Sequence, residues 1–574
     1  MRTCLALFIC LVPAVALAQT PVAGDWVLTE DIYGNPLHQR LTVKVDGPSV
    51  SGTIGRRSID GTVDGTAIRF TLKGDDTSDE FSGTISGDRI EGTLVRTAKG
   101  EQPFKTSWTA ARIPTKRAGP PQRHEFVPTT FHRQFSASNP PVLRVWPGDT
   151  IHTTTVDAGG TDEKSVTRVL GGNPQTGPFY IETAMPGDVL VVHLNRLRLN
   201  RDWAISDDGI VGRALDPELA VKMKDGFKNV RWRLDRQRGV AMPEMPTEHL
   251  KNFTVPLRPM LGCVAVATGF GSAPPPTGDS GRFGGNMDFN EIVEGATVYL
   301  PVAQPGALLY VGDGHAAQGD GELNGNALET SMDVEFTVDV VTRKPVMTPR
   351  VESATHIMTV GLGGTLEDAL RAATAGLAQW LEQDFQLTPS EIAIVLGSSV
   401  EYTIGEVADR NTGVAAKMRK DRLSGLTQAP PIAAGATAAP GQAPVRFEVA
   451  AVKSNVSGDA KVVIQMLPGG RFTATNATLR QLIRNAYQLQ EFQITGGPAW
   501  LDRDRFDIVA KADGAGPDNP GLERKARAMG LPPVDPEGSS LFTAVREQLG
   551  LRLDSQKGPV DVLVIDRAER PKED

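Results

Sequence analysis

In Ala307-Leu-Leu-Tyr-Val311 five apolar residues run directly into Gly312-Asp-Gly-His315-Ala-Ala-Gln-Gly-Asp-Gly-Glu322. A short apolar run of this length bounded by glycine reads as a buried strand. The segment after it reads as a loop, and loops that follow strands are where binding and catalytic residues concentrate. Frequent glycine lets the backbone come close to a ligand or ion, and Asp313, His315 and Glu322 are residue types that bind a divalent metal. A glycine-rich turn without any ligand has the same composition, so the run alone marks only a candidate.

Three further loops carry carboxylates beside glycines: Gly284-Gly-Asn286-Met-Asp288, Thr155-Val-Asp157-Ala-Gly-Gly160 and Gly177-Pro-Phe-Tyr-Ile-Glu182. Sequence separation does not say whether they converge in space, so the residues by themselves give a candidate carboxylate and histidine site.

The chain has 574 residues, too many for one core, and two to four domains are expected. Abundant glycine and proline with only 6% aromatic residues suit a mainly β, multidomain architecture. Residues 24–114 show short alternating runs between glycine turns, a small antiparallel β domain. Within it Ser51-Gly-Thr, Asp60-Gly-Thr, Ser82-Gly-Thr and Glu91-Gly-Thr recur as if starting successive strands of a hairpin meander. Residues 124–423 form a β-rich α+β domain. Its Pro147-Gly-Asp149 and Pro186-Gly-Asp188 turns imply two similar hairpins, and helices are predicted over 365–383 and from Pro389 to Gly397. Residues 424–444, rich in alanine, glycine and proline, read as a flexible linker. Residues 445–574 read as a small α+β module: a strand from Phe447, a helix opened by Asn476 or Thr478, strands at Phe506 and Val560, and a helix from about Leu541 to Leu549.

Several tempting nucleophiles read as structure. Gly278-Asp-Ser280-Gly281 imitates a serine-protease loop, but Arg282 breaks the pattern. Cys263 lies between Leu261-Gly262 and Val264-Ala-Val-Ala, which reads as a buried strand position, with a thiol-dependent amidase as the alternative. His193 reads as a packed strand histidine.

Gly284-Gly-Asn-Met-Asp288, Gly295-Ala-Thr-Val-Tyr-Leu-Pro-Val302, Pro305-Gly-Ala-Leu-Leu-Tyr310 and Gly312 to Glu322, in this order and spacing, resemble the acetamidase/formamidase family. Gly177-Pro-Phe-Tyr-Ile-Glu182, Pro186-Gly-Asp-Val-Leu-Val-Val192 and Leu387-Thr-Pro-Ser-Glu391 extend the resemblance over most of the central region. The absence of a histidine- and tryptophan-rich opening before Pro140 favours the shorter, acetamidase-like branch, and Thr183, where glycine is usual beside Glu182, bears on the substrate rather than the fold. The resemblance implies hydrolysis of short linear amides to ammonia and a carboxylate by a metal-dependent enzyme. It assigns Asp157, Asp288 and His315 to a divalent metal, zinc first and calcium second, with Asp313, Glu322 and His152 in reserve. Glu182 or Glu329 is then the catalytic base, and Asn286 and Gln318 face the small amide substrate. A non-catalytic binding protein on the same fold is the rival reading. The C-terminal region resembles a module of unknown function from soil bacteria through Phe447-Glu-Val-Ala450, Gly470-Arg-Phe-Thr-Ala-Thr-Asn476 and Gly496-Gly-Pro-Ala-Trp-Leu501.

Arg2, the apolar run Leu5 to Leu17 and Ala16-Leu-Ala18 read as a bacterial export signal over 1–18, so a periplasmic or secreted location is expected. Cys4 and Cys10 leave with that segment, and Cys263 alone cannot form an internal disulfide. No run is long enough for a membrane span. A net charge of −8 without a basic block excludes nucleic acid as a partner. A homo-oligomer is left open.

Overall fold

Alternating apolar residues close the N-terminal region into a barrel of eight antiparallel strands, from Gly24–Ile32 to Phe104–Arg112. The last strand returns to the first, with Trp26 opposite Arg112. Trp26, Leu28, Leu41, Phe70, Phe81 and Trp108 fill the interior. Phe70 stacks on Phe81 at 4.7 Å, and Trp108 meets Phe81 edge-on at 5.6 Å. The Gly-Thr repeats do not start strands. Gly83 and Gly92 sit mid-strand and face each other across the ladder. A Cβ on Gly92 would overlap the Ser82 carbonyl oxygen, and one on Gly83 would come within 2.8 Å of Trp108, so glycine here lets a tightly curved wall pass the indole.

The computed structural model describes residues 22–55, 57–74, 77–98, 100–115, 117, 119–223, 227–426, 447–457, 462–467, 471–482, 494–496, 499–512, 554–556 and 562–565. The expected signal segment, nearly all of the linker and the helix at 541–549 lie outside them. The chain divides into two units, 1–436 and 437–574.

The rest of the first unit packs two sheets, of nine and eleven strands, around one large apolar cluster. The two Pro-Gly-Asp turns do not open hairpins. Each launches a strand, Thr150–Thr154 and Val189–Leu199, that pairs antiparallel with one shared partner, Met332–Val341, from opposite sides. The turns are near copies: Trp146 N donates to Asp149 Oδ2 at 3.0 Å, and Met185 N donates to Asp188 Oδ2 at 3.1 Å. Arg40 of the barrel reaches Asp188 Oδ2 at 2.5 Å, tying the barrel to the second turn.

The helix Leu366–Phe385 buries Ala369, Ala373, Leu377 and Trp380 on the nine-stranded sheet, capped by Thr365, whose side chain accepts from Asp368 N. Pro389–Ser399 follows behind a capping box of Thr388 and Glu391. In the second unit, Phe447–Ser454, Arg505–Ala512, Arg471–Thr478 and Val463–Leu467 form one sheet in that order. Of the two expected helix starts Thr478 is the one used, accepting from Gln481 N at 3.3 Å, while Asn476 stays in the strand with φ of 56°.

Candidate metal centre and active site

The strand Leu309–His315 runs through the middle of the eleven-stranded sheet and is buried along its whole length. It pairs with Met260–Val266, with Gln175–Ile181 and, at its end, with Glu329–Thr330, where His315 faces Glu329. Leu309, Val311 and Ala316 all enter the large apolar cluster, although a strict period of two would put Asp313 and His315 there instead. The alternation slips at Asp313, whose φ is 58°, and the ladder with Met260–Val266 has no pair at Gly262 and Asp313. That slip turns Asp313 and His315 out of the apolar layer. Asp288 and Glu322 also hold positive φ, 40° and 46°, so three carboxylates of one cluster sit on strained backbone.

These side chains converge. His315 Nε2 lies 3.1 Å from Glu329 Oε1, 3.5 Å from Asp313 Oδ2 and 3.9 Å from Asp288 Oδ1. Asp288, His315 and Glu322 form one set able to hold a metal ion, and Asp313, His315 and Glu329 a second, with ligand atoms within 4.8 Å of one another in each. His315 Nδ1 meets Gln318 Oε1 at 2.9 Å and can only donate to it, so in the neutral imidazole the Nε2 lone pair faces the carboxylates. Gln318 Nε2 donates to the Asp288 carbonyl at 2.5 Å, so Gln318 holds two of the cluster's residues in place from behind.

A ligand fits this arrangement. Asp288 Oδ1, Asp313 Oδ1, His315 Nε2 and Glu329 Oε2 are buried without a hydrogen bond. A Cβ on Gly262 would overlap Asp288 Oδ1 and Asp313 Oδ2 and come within 2.9 Å of His315 Cε1, so this glycine keeps open the space between them. Several carboxylates around one imidazole leave negative charge that a divalent cation would balance. Burial pushes the Asp288 and Glu322 carboxyls well above their ordinary range, and neighbouring carboxylates add to it. Burial likewise raises Glu329 to about 7. For His315 burial acts downward, but Glu329 and Asp313 outweigh it and hold the imidazole well above its usual value.

Above the cluster lies a cavity of about 330 Å³. Asn286, Asn173, Asp313, Glu322, Glu329 and Asp409 line it, with Arg133 at its exposed rim. Asn286 Nδ2 bridges Asp288 Oδ2 at 2.5 Å and Asp409 Oδ2 at 2.6 Å, and its Oδ1 accepts from Asn173 at 2.8 Å. Glu406, raised by burial to about 8, ends the strand Glu401–Glu406, and Asp409, raised by burial to about 6, lies in the turn that leads from it to Thr412–Arg419. Neither was singled out from the sequence. Two carboxylates three residues apart after Gly405 were the available signal.

Three expected site residues are not brought together with the rest. Glu182 forms a two-pronged pair with Arg144, at 2.7 and 3.1 Å, and does not line the cavity. His152 lies on the other sheet between Glu125 and Asp333, at 2.5 and 2.6 Å. Asp157 is bound to buried Arg201 at 2.6 Å, and Arg201 also reaches the Glu329 carbonyl at 3.3 Å, so Asp157 braces the strand that carries Glu329. Cys263 packs with Phe135, Ala265 and Tyr310, fully buried, and burial raises its thiol well above the ordinary range.

Residues 273–416 match the model of the acetamidase/formamidase family. The resemblance read from Gly284 to Glu322 is therefore borne out over the central region. A putative formamidase of Schizosaccharomyces pombe is 51% identical over 41 residues, which is 7% of this chain and 10% of that one. The chain thus spans about a tenth of that relative's length in the match. Among solved structures, a predicted acetamidase/formamidase from Thermoanaerobacter tengcongensis is 27% identical, covering 53% of this chain and 97% of that one, with a TM-score of 0.46. An acetamidase from Yersinia enterocolitica is 28% identical over 53% of this chain and 94% of that one, also at 0.46. Residues 480–530 and 524–568 match a domain family of unknown function.

Proposed function

We propose that the central domain is a metal-dependent amidase that hydrolyses short linear amides, acetamide and formamide first, to ammonia and a carboxylate. One observation carries the reading: His315 is ringed by Asp288, Asp313, Glu322 and Glu329, and buried ligand atoms of His315, Asp288, Asp313 and Glu329 are left unpartnered, directly beneath a cavity of about 330 Å³. That volume lies at the low end of the range for small-molecule sites, about 300–1,000 Å³.

Asp288, Asp313, His315 and Glu322 would hold a divalent ion, zinc first and calcium second, which when bound polarises a carbonyl and lowers the pKa of water. Glu329, near neutrality in its proton affinity, takes a proton from the attacking water and returns it to the departing nitrogen. Asn286 and Asn173 line the cavity and offer amide oxygens to the substrate's N–H, the Asn286 Nδ2 being committed already to Asp288 and Asp409. Gln318 and Arg201 act by positioning His315 and the Glu329 strand.

Export belongs to the same proposal, supported by Arg2 and Ala16-Leu-Ala18; a mature chain that begins elsewhere than Gln19 counts against it. Among the described residues no helix is long and apolar enough to cross a membrane.

The deciding experiment measures ammonia release from acetamide and formamide by the full chain before and after chelation, then after adding back zinc or calcium. Activity should fall with the metal and return with it. Undiminished hydrolysis by protein shown by elemental analysis to be metal-free would overturn the metal role. Tight amide binding without turnover in metal-loaded protein would favour the binding-protein reading.

A further inference from the structure

A second cavity, about 450 Å³, lies where the helix Leu366–Phe385 covers the nine-stranded sheet, and it shares no residue with the cavity above His315. Its apolar walls include Trp380, Phe385, Ile357 and Val346. Three cations line it, Lys344, Arg350 and Lys420, against two carboxylates, Glu352 and Asp384. Both carboxylates are engaged: Asp384 by Lys344, and Glu352 by Lys420 at 2.6 Å and by the Tyr299 hydroxyl at 2.6 Å.

Among the described residues Arg350 has no carboxylate of its own, and its guanidinium lies over the Trp380 ring, 4.8 Å from the ring centre. It is 4% exposed, and its Nη2 donates only to neutral oxygens, of Gln379 at 3.2 Å and of Gln383 at 2.9 Å. Its Nε is buried with no partner, and among the described residues no carboxylate stands within ion-pair distance of it. Burial pulls its pKa down to about 10, although Asp384 works against that. A buried guanidinium without a counter-ion is costly, and it is the side chain best shaped for a carboxylate.

We propose that this cavity is a binding site for a small monocarboxylate with an apolar body, whose carboxylate pairs with Arg350 and whose body lies against Trp380 and Phe385. The charge balance selects the class. One positive charge is unmatched, so a monoanion neutralises the pocket, whereas a dianion such as phosphate meets Glu352 and Asp384 as like charges.

The test titrates the full chain with benzoate, by calorimetry and by tryptophan fluorescence, alongside benzamide as its neutral analogue and inorganic phosphate. Benzoate should bind saturably below about 10 mM, and benzamide and phosphate should bind at least about tenfold more weakly. Arg350→Met should weaken benzoate by a similar factor. Trp380→Phe should remove the fluorescence change while the heat of binding remains, which locates the ligand even if Arg350→Met does not fold. Equal affinity for benzoate and benzamide, unchanged affinity in folded Arg350→Met, a fluorescence change that survives Trp380→Phe, or no saturable benzoate binding would each overturn the proposal.

Discussion

Gln318 Oε1 accepts the Nδ1 proton of His315 at 2.9 Å, and this single contact decides which imidazole nitrogen is available to the carboxylate cluster. The contact is set by three residues of spacing in Asp313-Gly-His315-Ala-Ala-Gln318, as the chain turns out of the sheet just past the strand's end.

Gln318→Met should therefore lower metal affinity by about 10- to 100-fold while leaving every ligand in the chain, because a ligating histidine without its partner loses its tautomer and orientation. Competition with a chromogenic chelator reads the affinity directly. Parent-like affinity in the variant would show that His315 is held by something other than Gln318.

The two glutamates proposed as base separate cleanly. Glu329 lines the cavity beside His315, whereas Glu182 is spent on Arg144. Glu329→Gln should cut kcat at least about 100-fold, and Glu182→Gln should leave it within about twofold, with only the modest stability loss of a surface pair. The reverse ranking, with metal content measured in both variants, would move the base to Glu182.

Gly262→Ala probes the space itself. The new methyl would collide with Asp288 Oδ1 and Asp313 Oδ2 in a strand that is buried throughout, where overpacking costs about 1–3 kcal/mol. Bound metal and turnover should both be lost in a protein that still unfolds cooperatively, at a lower temperature. Retained metal and turnover would mean that the carboxylates can move apart and that the gap is not the ion's position.

Much of this centre was legible because its chemistry is local. Asp313, His315 and Gln318 fall within six residues of one apolar strand, and Asn286 and Asp288 within one glycine-rich turn. Asp409 and Asn173 were not, since each enters through a turn that lies next to the cluster only after the sheets have paired. The same cause explains Glu182 and His152. Both have suitable chemistry and suitable neighbours in sequence, but register sends one to Arg144 and the other to the opposite sheet. The Gly-Thr repeats were visible as repeats, yet whether glycine starts a strand or relieves a crowded barrel wall depends on what packs inside, here Trp108.

The twin turns offer a test by pH, because the same local geometry holds two aspartates with opposite shifts. Burial pushes Asp149 upward, but donors from Trp146 and Gln122, with His124 and Arg117, outweigh it, and its carboxyl lies below the ordinary 3.8. For Asp188 burial wins over Arg40 and the donors from Arg343 and Met185, and its carboxyl lies above 3.8. The folded state therefore binds the Asp149 proton less tightly than the unfolded chain does. The stability this gives is complete above about 3.8 and is lost as pH falls through the lower folded value. Asp188 behaves in reverse: its contribution is complete below about 3.8 and is lost as pH rises through the higher folded value. With asparagine as a reference that does not titrate, the advantage of Asp149 over Asp149→Asn should grow as pH rises through the acid range and then level off. The advantage of Asp188 over Asp188→Asn should shrink as pH rises from about 3.8 and then level off. Differences in Tm between each variant and the parent, followed from about pH 3 to about pH 7, give both slopes. Slopes of the same sign would mean that the pair to Arg40, and not burial, governs Asp188, and that the barrel holds the second turn as firmly as backbone donors hold the first.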